Sequence, residues 1–248
     1  MAPGLEATLW GLAGGSTLLL GAAATYVLPW SARVIAGILA FGCGVLISAV
    51  AYDLLMEGFH QGGVVTLAVG MLAGSLLYTV SNVVISQRGG RTHKRHHAAK
   101  PAPTANRGLA IAVGSILDGV PEALVLGIGL LTDDGVSLTM LAAIALSNFP
   151  EALSGSTDMR RAGAPPRVVF AVWGGVAVLC GVAAGAGAAL LGEASATTQA
   201  AINAVAAGAV LTMIADTMIP EAVKDAHLGT GLLVVLGLLC AFTLSHAI

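Results

Sequence analysis

Eight apolar stretches, each about the ~20 residues that a bilayer-crossing helix uses, follow one another along this chain of 248 residues. They run over residues 8–28, 33–57, 63–86, 108–131, 137–159, 167–191, 199–222 and 229–247. The breaks between them fall at polar or turn-forming stretches such as Pro29 to Ser31, Gln87 to Arg107, Thr132 to Gly135 and Arg160 to Pro166. This spacing predicts an all-α polytopic membrane protein. It has eight transmembrane helices in one domain, residues 1–248, with a basic, histidine-containing loop at about 87–107. Composition closes off the other classes. A charged fraction of 10% is far below the roughly 25% of soluble chains, and a mean hydropathy of +0.89 calls for lipid around the fold. A soluble enzyme and a disordered chain are excluded on these grounds. A net charge of -2 with one short basic run gives nucleic acid little to bind.

Orientation follows from the cations, which are held back on the cytoplasmic side. Arg33 follows the first span. Arg88, Arg91, Lys94, Arg95, Lys100 and Arg107 lie between the third and fourth, Arg160, Arg161 and Arg167 between the fifth and sixth, and Lys224 between the seventh and eighth. All 11 basic residues then share one side, while Glu6, Asp133, Asp134 and Glu193 take the other. The expectation is an inner-membrane, multi-pass protein with both termini extracytoplasmic. Glu6 stands where a signal peptide would carry Lys or Arg, so the first span is expected to be retained. Cys43, Cys180 and Cys240 sit in separate spans without CxxC spacing and read as packing residues. Gly70/Gly74 and Gly181/Gly185 have the GxxxG spacing that lets helix backbones approach.

Among the carboxylates within the spans seven are singled out, namely Asp53, Glu57, Asp118, Glu122, Glu151, Asp216 and Glu221, and no Lys or Arg lies in the interior of a span. An ionised carboxylate near the bilayer centre costs at least ~2.5–3.5 kcal/mol, so something other than a basic side chain must answer these groups. A bound metal ion, protons, or both remain. The fourth span reads Asp118-Gly-Val-Pro-Glu122-Ala-Leu, and 29 residues later the fifth reads Ser147-Asn148-Phe-Pro-Glu151-Ala-Leu. Spacing of four places Asp118 with Glu122, and Ser147 with Glu151, on one helix face, with Asn148 a turn from Glu151. Pro121 and Pro150 donate no backbone hydrogen bond, so the carbonyls of Leu117 and Leu146 are freed and both helices should kink. Two such stripes at matched depth in antiparallel neighbours resemble the midplane sites of inverted-repeat transporters. The plain alternative is a pair of proline kinks whose protonated glutamates bond to neighbouring helices.

A second internal relation aligns residues 40–58 with 204–222, sharing Ala40/Ala204, Gly44/Gly208, Ala51/Ala215 and Glu57/Glu221. The two spans run in opposite directions, so the expected inverted repeats pair helices 1–3 with 6–8 and helix 4 with helix 5. Asp53 and Glu57 then mark an outer entrance, and Asp216 and Glu221 an inner release path. Ordinary interfacial acids at helix ends are the alternative reading of these four.

These residues resemble the ZIP family of divalent metal transporters, with its eight spans, external termini and paired proline-glutamate motifs in helices four and five, along nearly the whole chain. The family's fourth helix usually reads His-Asn-x-Pro-Glu-Gly, where this chain has Asp118, Gly119 and, after Glu122, Ala123. Ser147 stands at the family's His or Gln position of helix five, whereas Asn148, Pro150 and Glu151 fit; Asp216 to Glu221 is similar to the family's helix-seven ending. The resemblance implies import of a divalent cation toward the cytosol by alternating access, helices four and five carrying the site past a scaffold that includes spans two and seven. Asp118, Glu122, Ser147, Asn148 and Glu151 would be its ligands. An all-oxygen set without imidazole suits Mn2+ or Mg2+ better than Zn2+. The sixth span, apolar from Val168 to Leu191, lacks the acidic ligand that makes a second metal position in some relatives. His93, His96 and His97 match the family's His-bearing loop, though Arg91, Lys94 and Arg95 beside them favour anionic lipid or a topogenic role. The expected partners are the transported cation and the lipid bilayer, with a homodimer as the expected oligomer where there is one, and no prosthetic group is expected. Two competing readings are a degenerate or proton-coupled carrier of another solute, and an intramembrane hydrolase pairing Asp118 with Asp216.

The orientation is directly testable. A reporter inserted in residues 90–104 should read cytoplasmic and one fused after Ile248 external. Both reporters on one side would refute the count of eight.

Overall fold

The computed structural model describes residues 3–87, 115–116, 119–124, 126–127, 138–191, 194–226 and 229–247. The described residues form helices and no strand. That is what lipid demands, because a helix satisfies its backbone hydrogen bonds within one segment. In chain order they are α1 (Pro3–Val27), α2 (Ala32–Ala49), a π-helical segment (Val50–Leu55), α3 (Met56–Gln87), α4 (described at 115–116, 119–124 and 126–127), α5 (Leu138–Arg161), α6 (Pro166–Leu191), α7 (Ala196–Met213), a second π segment (Ile214–Met218), α8 (Ile219–Ala226) and α9 (Thr230–Ala247). Asp118 and the loop histidines His93, His96 and His97 lie outside the described residues.

Four helical runs are long and apolar enough to cross a membrane: Pro3–Val27, Ala32–Val84, Pro166–Leu191 and Ala196–Asp225. Their large outward side chains are aliphatic, with Val65 75% exposed, Leu72 72% and Leu190 78%. The chain is therefore a helical membrane protein, its exterior dissolved in hydrocarbon.

The run Ala32–Val84 has 53 residues and would stretch ~80 Å if straight, far beyond the ~30 Å hydrocarbon core. It is not straight. Gly63 adopts φ 71 and ψ 175, a conformation essentially closed to residues with a Cβ. Leu67 Cδ1 consequently comes within 3.4 Å of where a Cβ on Gly58 would lie, although nine residues of straight helix would part them by roughly 13 Å. Sequence reading expects a connector near residues 58–62; the helix instead runs through Gly62 and reverses at one glycine.

Glycine and alanine set the helix pairing. Gly11 and Gly15 lie against Gly181 and Ala177, with Gly181 and Gly185 against Leu12 and Thr8, so α1 and α6 are antiparallel. Gly70 and Gly74 meet Ala204 and Val205, which makes α3 and α7 parallel, and Gly37 and Phe41 meet Leu233 and Gly237, which does the same for α2 and α9. Gly14 meets Ile144 and Gly21 meets Ala152, so α5 runs parallel to α1. Both GxxxG pairs read from the sequence thus lie in helix contacts. Lipid tails give helices no hydrophobic reason to associate, so such close approach is the main source of cohesion.

Two apolar cores result. One joins α2, α7 and α9 through Leu46, Val50, Val210 and Ile214; the other joins α1, α5 and α6 through Leu18, Met159, Val169 and Trp173. α5 belongs to both, giving Ala143 and Ile144 to the first and Ala152 to the second. The basic residues described, Arg33, Arg160, Arg161, Arg167 and Lys224, gather at one end, where Arg161 and Lys224 line one cavity and Arg160 donates to the Thr25 carbonyl at the end of α1.

Gly63→Ala should isolate the cost of the reversal, since nothing lies within 4 Å of the added methyl. The expected loss is about 1–3 kcal/mol, seen as a lower unfolding midpoint in detergent. An unchanged midpoint would show that the turn does not need its positive φ.

Candidate metal site

Glu122 on α4 is 2% exposed, deep inside a bundle of alanines and glycines. Ser147 and Asn148 on α5 are buried as deeply, at 3% and 2%, and Glu151 is half-buried. The four described residues of the expected central site are thus drawn into the interior, and none faces lipid. Each is held by its own helix or a neighbour. Ser147 Oγ donates to the Ile144 carbonyl at 3.0 Å, which fixes its rotamer and leaves its oxygen lone pairs uncommitted by that bond. Asn148 Nδ2 donates to the Gly14 carbonyl at 3.4 Å, tying α5 to α1. Pro150 is buried within α5, and the Leu146 carbonyl that it frees packs against α2, 3.0 Å from where a Cβ on Gly42 would lie. The freed carbonyl is thereby fitted to a neighbouring backbone that carries no side chain.

A residue that sequence reading takes for packing stands beside this group. Cys180 on α6 is 3% exposed, feels the charges of both Glu122 and Glu151, and its Sγ lies 2.9 Å from where a Cβ on Gly119 would be. Gly119 leaves room that the sulfur occupies. No local pattern signals this, because the contact joins residues 61 positions apart, from 119 to 180. Among the described residues, no three His, Cys, Asp or Glu side chains lie close enough to cage a metal ion. A cation bound here would draw on hydroxyl and amide oxygens as well as on carboxylates.

One turn toward the basic end from Glu151, Ser154 Oγ donates to Glu221 Oε1 at 2.8 Å. Glu221, expected on an inner release path, thus connects with the central group across the α5–α8 contact. Both line a cavity of about 350 Å³ at the basic end, with Thr157, Asp158, Asp216 and Asp225 around it. Asp216, in the second π segment, is exposed there, and its neighbour Thr217 shares a 3.1 Å hydrogen bond with Tyr78 of α3. Asp158 and Asp225 were not singled out by sequence, since both read as ordinary acids near helix ends. At the other end, Asp53 is half-buried in the first π segment, and Glu57 accepts a 2.9 Å hydrogen bond from Gln61 Nε2. The eight described site residues therefore form three groups: one central, one at the basic end and one at the opposite end. Compared with models of known protein families and with curated proteins, the chain matches none.

Proposed function

We propose that this protein carries divalent metal cations across a membrane toward the cytosol, by alternating access through the central group on α4 and α5. The observation that carries the reading is the polar track from Glu122, sealed inside an apolar bundle, through Ser147, Asn148 and Glu151 to Ser154, Glu221 and the inner cavity. A carboxylate so placed and so connected is served by a cation that arrives and leaves. The two apolar cores are compatible with the same mechanism: one holds α1 and α6, the other holds α2, α7 and α9, and the site helices contribute to both.

The proposed topology is eight crossings with both termini outside, arranged as inverted repeats. Its support is the recurrence of elements 164 residues apart: α2 and α7 begin at Ala32 and Ala196 and end at Ala49 and Met213, and the π segments begin at Val50 and Ile214. Ser31 and Ser195 cap the two helices alike, accepting from the amides of Val34 and Thr198. The alternation also fits the directions in which α1, α5 and α6, and likewise α2 with α9 and α3 with α7, lie against each other.

The test is metal flux into proteoliposomes. Glu122→Ala and Glu151→Ala should each abolish uptake while the protein still inserts and folds, since both prolines and both kinks remain. Near-parental flux in either variant would sink the site. For selectivity, an oxygen-rich site should favour Mn2+ over Zn2+, and Asp118→His should shift competition toward Zn2+. A parent that already prefers Zn2+ strongly, or a ranking untouched by the substitution, would remove Asp118 from selectivity.

A further inference from the structure

Two amide oxygens at the outer end, Asn203 Oδ1 on α7 and Gln61 Oε1 on α3, are buried without a hydrogen-bond partner, and Asn203 is only 4% exposed. Burying such an oxygen costs roughly 1–3 kcal/mol, which packing alone gives no reason to accept. The helices that carry them touch close by. Ala200, one turn outward of Asn203 on the same face of α7, lies 2.8 Å from where a Cβ on Gly62 would be and 3.7 Å from one on Gly58. Near Asn203, α7 thus abuts the stretch that carries Glu57 and Gln61, with Asp53 in the π segment just before it.

The 164-residue recurrence shows what this group corresponds to. Ala36, Leu39, Thr217, Glu221 and Asp225 line the inner cavity. Their counterparts are Ala200, Asn203, Asp53, Glu57 and Gln61. In the inner set Ala36 and Leu39 are each 4% exposed beside about 350 Å³ of open space, and in the outer set Ala200 is 0% and Asn203 4% exposed. Two helical units that exchange conformations would open the outer set as the inner one closes. Polar atoms stranded in one state are then solvated, or bound, in the other. Leu39, the counterpart of Asn203, shows that this position in the fold accepts an apolar side chain.

We propose that Asp53, Glu57, Gln61 and Asn203 form an outer site that takes a divalent cation through carboxylate and amide oxygens when the outer face opens, Asn203 being the residue that completes it. This rests on the inverted-repeat transport reading. Two carboxylates with two neutral carbonyls make a hard-cation set that can still release its ion inward.

Accessibility tests it without relying on flux. In a chain with Cys43, Cys180 and Cys240 replaced by alanine, Asn203→Cys should react with a membrane-impermeant maleimide from the external side, and Mn2+ or Zn2+ should slow the reaction. Ala36→Cys should react from the cytoplasmic side. If Asn203→Cys stays unreactive from both sides while Ala36→Cys labels, the outer site is overturned and the transport reading survives. A parent protein with no metal flux but an outer label that Mn2+ or Zn2+ protects would instead overturn transport and keep the site. Asn203→Leu separates function from packing. It should fold at least as stably as the parent, yet raise the KM for external metal roughly 10-fold, the scale on which metal sites lose affinity when a supporting polar group goes. A parental KM would overturn the role of the amide oxygen.

Discussion

The structure turns on the burial of carboxylates inside an apolar helix bundle. Glu122, at 2% exposure, would as an ionised group have its charge removed from water and from lipid headgroups alike. Placing one such charge in the membrane interior costs at least ~2.5–3.5 kcal/mol, and whole domains are stable by only ~5–15 kcal/mol. A fold keeping both Glu122 and Glu151 inside gives up much of its margin unless another charge answers them. The surrounding chemistry fits that demand. Ser147, Asn148 and the nearby Cys180 present donor atoms, while Ser154 and Glu221 extend the polar path to the cavity.

The remainder of the fold holds that group by making backbones touch. Gly208 packs against the Met71 carbonyl, Gly237 against that of Phe41, and Gly127 against that of Ala184, contacts that any side chain would break. Helices locked this closely move as pairs rather than singly. α5 is bound differently, by Asn148 and Arg160 to α1 on one side and by the glycine-lined contact with α2 on the other. A helix shared between two cores can stay with one while the other slides.

The apolar runs made most of the helices legible in the sequence, because in lipid length and hydropathy decide secondary structure. Expected spans at 8–28 and 167–191 meet helices Pro3–Val27 and Pro166–Leu191. The reversal at Gly63 was not legible: one glycine among Gly62, Gly63 and further apolar residues gives no sign of which takes positive φ. Nor were the π segments, which depend on how the last turns of α2 and α7 seat against neighbours. The proline-glutamate motifs revealed the central group because each is local. Cys180, Asp158 and Asp225 escaped notice because their meaning depends on contacts between helices distant in sequence, and Asp118 lies outside the described residues.

Differences between the two halves say more about function than their likenesses do. Ser31 and Ser195, or the glycines at 44 and 208, recur because both halves must cap and pack the same helix. Lys224 has His60 as its counterpart, a difference that the proposed topology would explain by the rule that keeps cations on the cytoplasmic side. Asn203 against Leu39 has no such explanation, for both positions are buried at 4% and neither bears on topology. A buried amide where the matching half has a hydrocarbon lowers stability in the conformation seen. Under the proposed transport cycle, a second conformation would give that oxygen something to bind.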